Sequence, residues 1–284
     1  MNDRSLPGIL YIVATPIGNL EDMTLRAIRV LKDVDLIAAE DTRHTQVLLD
    51  HFEIGTALTS YHEHNERTKA KPLVARLESG ESIALVSDAG TPAIADPGYR
   101  LVVEATRAGI HVVPVPGPCA VTAVLSASGL PTDEFVFGGF LPAKKQERRS
   151  KLQKLRNERR SIVVYEAPHR LKESLDDIYN ILGNRRMALA REVTKIHEEF
   201  LRARISEVIG QIAERNIRGE VTLILEGSSD ENAISEVALR DEIGKLQRDG
   251  MRIKEMAEVL GEKYGYSKKE IYRLALQQSE KTKL

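Results

Sequence analysis

An α/β architecture of two domains with a helical tail is what the sequence predicts, on three grounds. Short β-branched runs alternate with amphipathic helical spacing, as in a mostly parallel sheet covered by helices. A basic run near residue 144 interrupts that rhythm before it resumes, and past Gly227 no strand pattern remains. The expected domains are residues 1–143, 144–230 and 231–284. At 284 residues the chain has room for two cores and an appendage.

Taken in order, 9–14, 34–39, 83–87, 112–115 and 135–140 are short and apolar enough for strands buried on both faces. Helical spacing fills the intervals at 24–32, 42–52, 67–79, 99–108 and 120–127. Gly80 and Gly109 stand where a left-handed C-terminal cap costs least. In the second half 161–165, 187–191, 200–205 and 221–225 read as strands, with helices over 171–182 and 207–215. A polar acidic stretch at 228–232 reads as a linker. The tail then reads as a helix over 253–264, a turn at Gly265-Tyr266-Ser267, and a second helix over 268–277 opened by a Ser cap, a helix-turn-helix pattern.

Composition narrows the function. Hydrophobic residues at 42% and charged residues at 29% are ordinary globular values, and a formal net charge of -1 argues against indiscriminate nucleic-acid binding while leaving room for a local patch. The single cysteine, Cys119, has no disulfide or zinc-ligand partner and no basic neighbour to lower its pKa, so it reads as a small packed residue in a reducing compartment. The start lacks the basic and apolar segments of a signal peptide, and no apolar stretch nears the roughly 18 residues of a membrane span, so a cytoplasmic location is expected. Trp is absent and aromatics are 5%, too few for a platform that stacks many bases.

Three strand ends carry small residues and prolines, at the place where open α/β sheets bind ligands. Ala14-Thr15-Pro16-Ile17-Gly18-Asn19-Leu20 is better explained locally by a tight β-α turn. In 87–98, SDAGTPAIADPG, eight of twelve residues are Gly, Ala, Pro or Ser, flanked by two carboxylates. Backbone amides are open to a ligand there, and the acidity repels phosphate and suits a cation such as a sulfonium carrying an ammonium. In 115–123, VPGPCAVTA, small side chains allow either tight helix packing or close approach of a flat ring.

Polar clusters follow other strands: Glu40-Asp41-Thr42-Arg43-His44, Tyr165-Glu166-Ala167-Pro168-His169-Arg170 and Arg191-Glu192-Val193-Thr194-Lys195. Tyr61-His62-Glu63-His64 has metal-ligand spacing but no third ligand, and reads as a solvated loop, so no metal is expected. Residues 144–160 hold nine Lys or Arg against two Glu, a local net of +7. A basic helix with only Leu152 and Leu155 as anchors would present Lys145, Arg148, Arg149, Lys151, Lys154 and Arg156 to solvent. The tail offers Lys268, Lys269 and Arg273, yet from Glu236 it carries eleven basic and nine acidic residues, so packing or dimerisation explains it as well as RNA binding does.

Seven motifs in order, ATPIGNLEDMTLRA, AAEDTRHT, SDAGTPAIADPG, VPGPCAVTAVLSASGLP, YEAPHRL, AREVTKIHEE and GEVTLILEG, make the chain resemble the tetrapyrrole methylase superfamily, a class III methyltransferase fold. The first loop departs from the glycine-rich GxGxGD of the tetrapyrrole enzymes, which points to the branch that methylates small-subunit ribosomal RNA. The resemblance implies S-adenosylmethionine folded into the cleft between domains. Asp88, Ala89, Gly90, Ile94 and Ala95 would hold its methionine part, Pro116, Gly117 and Ala120 would line the cleft, and Tyr165, Ala190 and Thr222 would flank the adenine.

The same resemblance implies a homodimer and methylation of the 2′-hydroxyl of a cytidine in the decoding region of 16S rRNA, within the small ribosomal subunit. Such a hydroxyl must be oriented and must lose its proton, for which Asp41, Glu192 and Lys195 are candidates, with Arg43 and Arg170 anchoring phosphate. Two other readings stay open: a small-molecule methyltransferase of the same superfamily, and a non-catalytic ribosome-assembly factor.

Overall fold

The computed structural model describes residues 7–228, 236–264, 266 and 268–281. Five strands, β1 (Ile9–Val13), β2 (Leu36–Ala39), β3 (Leu58–Ser60), β4 (Ile83–Val86) and β5 (His111–Val115), form the first sheet in the order β3-β2-β4-β1-β5, with every pairing parallel. β2 and β4 are buried at every position, as a central strand covered on both faces must be. Helices α1 (Leu25–Asp33), α2 (Thr42–His51), α3 (Glu66–Glu78) and α4 (Tyr99–Arg107) cover the two faces. Thr24 and Asp41 cap α1 and α2, their side chains accepting from the amides of Ala27 and Arg43. The strand β3 carries no legible sequence signal, being three half-buried residues at the sheet edge.

The second sheet runs β6-β7-β10-β8-β9, built from β6 (Phe135–Phe140), β7 (Ser161–Glu166), β8 (Arg186–Arg191), β9 (Glu199–Arg204) and β10 (Val221–Leu225). Only β6 and β7 pair in parallel; the remaining pairs are antiparallel. Phe135–Phe140 therefore stands in the second layer and not, as expected, at the end of a first domain closing at residue 143. Helix α5 (Ala120–Ala127) goes with it, since Val121, Val124 and Leu125 pack on Val163, Ala188, Ala190 and Ile224. The Pro142 turn and basic run that read as a boundary are the connection between two neighbouring strands of one sheet.

The other face of the second sheet is covered by α6 (Lys145–Lys154), α7 (Leu171–Leu182) and α8 (Ile205–Ile212). Leu152 is fully buried and Leu155 packs beside it, as the spacing predicts. The basic helix does not present all its cations, however. Arg148 is 0% exposed: its Nε donates to Asp177 Oδ2 at 2.8 Å and its Nη2 lies 2.8 Å from the same oxygen. Its place on the inward stripe with Leu152, four residues on, turns it toward α7. Lys151 is half-buried and its ammonium donates to the carbonyls of Gly138 and Phe140. Lys145, Arg149, Lys154 and Arg156 are exposed.

The tail is a three-helix unit with its own core. Helices α9 (Glu236–Arg248), α10 (Ile253–Tyr264) and α11 (Lys268–Lys281) bury Leu239, Ile243, Ala257, Leu260, Ile271, Leu274 and Ala275 together. Residues 229–232 of the expected linker, and Gly265 and Ser267 of the expected turn and cap, lie outside the described residues. Among the described residues no helix is long and apolar enough to cross a membrane.

Removing one partner of a buried ion pair leaves the other charge uncompensated. Arg148→Ala is expected to cost about 3–5 kcal/mol in urea unfolding, and Arg148→Leu with Asp177→Leu to recover most of it.

Candidate active site

Because all strands of the first sheet are parallel, the loops after β1, β2, β4 and β5 leave from one edge. They are tied to one another there. Thr15 and Gly90 exchange two backbone hydrogen bonds, 2.9 and 3.0 Å, joining the first loop to the acidic one. Thr91 Oγ1 donates to the Pro118 carbonyl at 3.0 Å, which brings in the third. Gly90 has φ +81°, and a side chain there would crowd Ile17.

The second sheet meets this edge with a matching row. Thr222 lies directly opposite Tyr165 on one side and Ala190 on the other, so the three side chains project from the same face of adjacent strands. Phe137 and Phe140 hold the Tyr165 ring edge-on, with centroids 5.1 and 5.2 Å away, and the Val121 amide at the start of α5 donates to its hydroxyl. Burial first, and nearby Cys119 and Asp96 after it, push the Tyr165 pKa well above the ordinary phenol value.

Four non-glycine residues with left-handed backbone flank the cleft: Ala93 (φ 68°) and Ala95 (φ 67°) in the acidic loop, Glu192 (φ 52°) and Thr194 (φ 69°) opposite. Such conformations each cost of order 1 kcal/mol or more and gather where a site needs them. Ile94, between the two alanines, is 39% exposed, and Ala95, Pro116 and Gly117 are also open to solvent. The two sides touch where Gly18 faces Lys195 and Thr194: a Cβ on Gly18 would run into the Lys195 chain. Thr194 Oγ1 is buried beside it with no hydrogen-bond partner among the described residues.

The electrostatics divide the cleft in two. Glu40, Asp88 and Asp96 form a carboxylate group, with Asp88 accepting from the Asp41 amide at 2.9 Å. Burial, then Asp88, raises the Glu40 pKa; burial, then Glu40, brings Asp96 up to about 6. Across the cleft Lys195 Nζ sits 2.9 Å from Glu192 Oε1 and 3.3 Å from Glu220 Oε2. Burial alone would lower its pKa, but the two carboxylates outweigh it and keep Lys195 an ammonium, while Lys195 in turn lowers Glu192. Glu220, unassigned by sequence reasoning, stands immediately before β10 inside the GEVTLILEG motif.

Arg43 binds Asp41 through Nε and Nη2 at 3.1 and 2.7 Å and holds its carboxyl far below the usual range. Arg43 itself is 90% exposed at the rim. Arg170 is not available in the same way, since it bonds Glu166, whose carboxylate is fully buried, at 2.8 Å. The histidine loop is held by its own polar contacts, Asn65 Nδ2 lying 3.0 Å from His62 Nε2, and among the described residues no cluster of three or more His, Cys, Asp or Glu is placed to hold a metal.

The profile of the tetrapyrrole (corrin/porphyrin) methylases matches residues 9–209, which takes in the first sheet, its loops and β6 to β9 of the second, and stops short of β10 with Glu220 and Thr222. The chain belongs to that family. Within it, this methylase is 49% identical to the "Ribosomal RNA small subunit methyltransferase I" of Halalkalibacterium halodurans over 95% of the chain and 96% of that protein. It is 50% identical to the protein of the same name from Escherichia coli O157:H7, again over 95% and 96%. Solved structures share the fold at lower identity. Uroporphyrin-III-C-methyltransferase from Thermus thermophilus aligns with TM-score 0.54 at 23% identity, covering 77% of this methylase and 94% of that chain. A diphthine synthase aligns with TM-score 0.58 at 13%, covering 77% and 90%.

Asp96 binds its proton more tightly in the folded methylase than in the unfolded chain. Folding therefore loses stability as pH rises from about 4 to about 6 and carries the full cost above that. Asp96→Asn removes this cost. Thermal melts are expected to show the variant more stable by on the order of 1–2 kcal/mol at pH 8, the gain vanishing near pH 4.

Proposed function

We propose that this methylase transfers a methyl group from S-adenosylmethionine to 16S ribosomal RNA in the small subunit, at the 2′-hydroxyl of a cytidine in the decoding region. The observation that carries the reading is the extent of the likeness. The relatives named for ribosomal RNA match over 95% of the chain, tail included, whereas the porphyrin enzyme of similar fold covers 77%. The cytoplasm, where ribosomes are assembled, is the corresponding location, and a homodimer the corresponding assembly.

The cleft suits the cofactor chemically. Glu40, Asp88 and Asp96 match an ammonium and a sulfonium, and Ala89, Gly90, Ile94, Ala95, Pro116, Gly117 and Ala120 leave room for close approach. Of the row, Tyr165 is half-buried and can meet an adenine ring, while Thr222 and Ala190 are buried behind it. When bound, S-adenosylmethionine supplies the electrophilic methyl group. The Lys195 ammonium, partly exposed at the junction of the two sheets, orients the ribose oxygen and stabilises negative charge that develops on it.

The ribose proton needs an acceptor with a pKa near the working pH. Asp41 and Glu192 are held low and Lys195 is held protonated, so each is displaced from that range. Arg43 at the exposed rim is placed to meet a phosphate.

Labelled cofactor incubated with small subunits lacking the modification is expected to yield one 2′-O-methylated cytidine, located by nuclease digestion and mass spectrometry. Lys195→Gln is expected to lower kcat about 10²-fold with cofactor affinity retained. Cofactor binding with no transfer to subunits or naked rRNA overturns the reading in favour of a small-molecule substrate; no cofactor binding favours an assembly factor.

A further inference from the structure

A large cavity lies away from the cleft. It encloses about 1340 Å³ between the end of α6 with its following loop and the outward side of α11. The volume exceeds the roughly 300–1,000 Å³ of pockets that hold single small molecules. One wall presents Lys154, Arg159 and Arg160; the other presents Lys269, Tyr272 and Arg273. Glu134 and Glu158 are the acidic groups in the lining, and Glu158 is taken by Arg160, which it binds through both oxygens at 2.8 Å.

Two features mark this groove as built for a partner. The first is charge without a counter-ion: among the described residues no ion pair is formed by Lys154, Lys269 or Arg273, whereas the inward cations of α6 are spent on Asp177 and on strand carbonyls. The second is an aromatic face. α11 turns Ile271, Leu274 and Ala275 into the tail core, so Tyr272 (47% exposed) and Leu276 (43% exposed) are left on the groove and are not needed to close the bundle. Cations spaced around an exposed aromatic ring suit a flexible strand whose phosphates and unstacked bases are both available.

The groove is separate from the cleft. β7 begins at Ser161, directly after groove-lining Arg160, and ends at Glu166 beside Tyr165, so the two sites lie at opposite ends of one six-residue strand, roughly 20 Å apart.

We infer that this groove is a second RNA-binding surface, which grips a single-stranded segment of the substrate with Lys154, Lys269 and Arg273 on its phosphates and one base stacked on Tyr272. The inference rests on the proposed ribosomal RNA substrate and adds where the tail takes hold of it. A grip roughly 20 Å from the reacting nucleotide raises affinity for RNA and leaves the chemical step alone.

The test compares the full-length chain with Tyr272→Ala, Tyr272→Phe and the double variant Lys269→Glu, Arg273→Glu, all at exposed positions. Methyl transfer to unmodified small subunits is measured alongside direct retention of 16S rRNA on a filter. Tyr272→Ala is expected to raise KM about tenfold with kcat and cofactor affinity unchanged, and Tyr272→Phe to restore it. The double variant is expected to raise KM further and to flatten the salt dependence of rRNA retention. Wild-type KM and retention in both Tyr272→Ala and the double variant overturn the inference. So does a fall in kcat alone, which places the residues in the chemical step. If the unaltered chain transfers no methyl group, the reading of function fails and the groove is judged by retention, where equal values across the variants overturn it.

Discussion

Parallel strands deliver all their exits to one edge, and the rest of the molecule is organised around that constraint. The loops after β1, β2, β4 and β5 arrive together whether or not their sequences attract one another. The Thr15–Gly90 exchange and the Thr91–Pro118 hydrogen bond then lock them into one surface. The second sheet is mostly antiparallel, so it cannot supply a crowd of loops at one edge; it supplies a wall, with Tyr165, Thr222 and Ala190 in register. Loops on one side and a flat row on the other are what a deep cleft requires.

Most of the fold was legible because its signals are local. β-Branched runs and the glycine caps at Gly80 and Gly109 appear in the sequence where the structure uses them. What escaped depended on pairing. Phe135–Phe140 has the pattern of any short strand, and nothing in it says which sheet it joins; that is decided by β7, its parallel neighbour across an intervening helix. Strand β3 escaped for the opposite reason, since three residues at an edge need almost no pattern of their own.

The candidate site was legible as a set of loops and much less so as a set of roles. Motif order pointed to the acidic loop and to Tyr165, Ala190 and Thr222, and strand register places those three side by side. Individual charges depend on neighbours distant in sequence. Arg148 and Lys154 are equivalent members of one basic run until the helix turns the first onto Asp177 and the second outward. Lys195 invites the reading of a base until Glu220, 25 residues away, joins Glu192 beside it and fixes its proton.

Lys151 carries a consequence of a different kind. β6 is an edge strand, and edge strands expose backbone groups that recruit strands from other molecules. Here a glycine bulge breaks the register between Phe137 and Phe140, and the Lys151 ammonium occupies the carbonyls of Gly138 and Phe140. A lysine that a charge count credits to the substrate-facing surface is instead a stopper on the sheet. Continuing the sheet from one copy to another is hindered at this part of β6, which leaves side-chain surfaces and the other edge strands, β9, β3 and β5, for self-association.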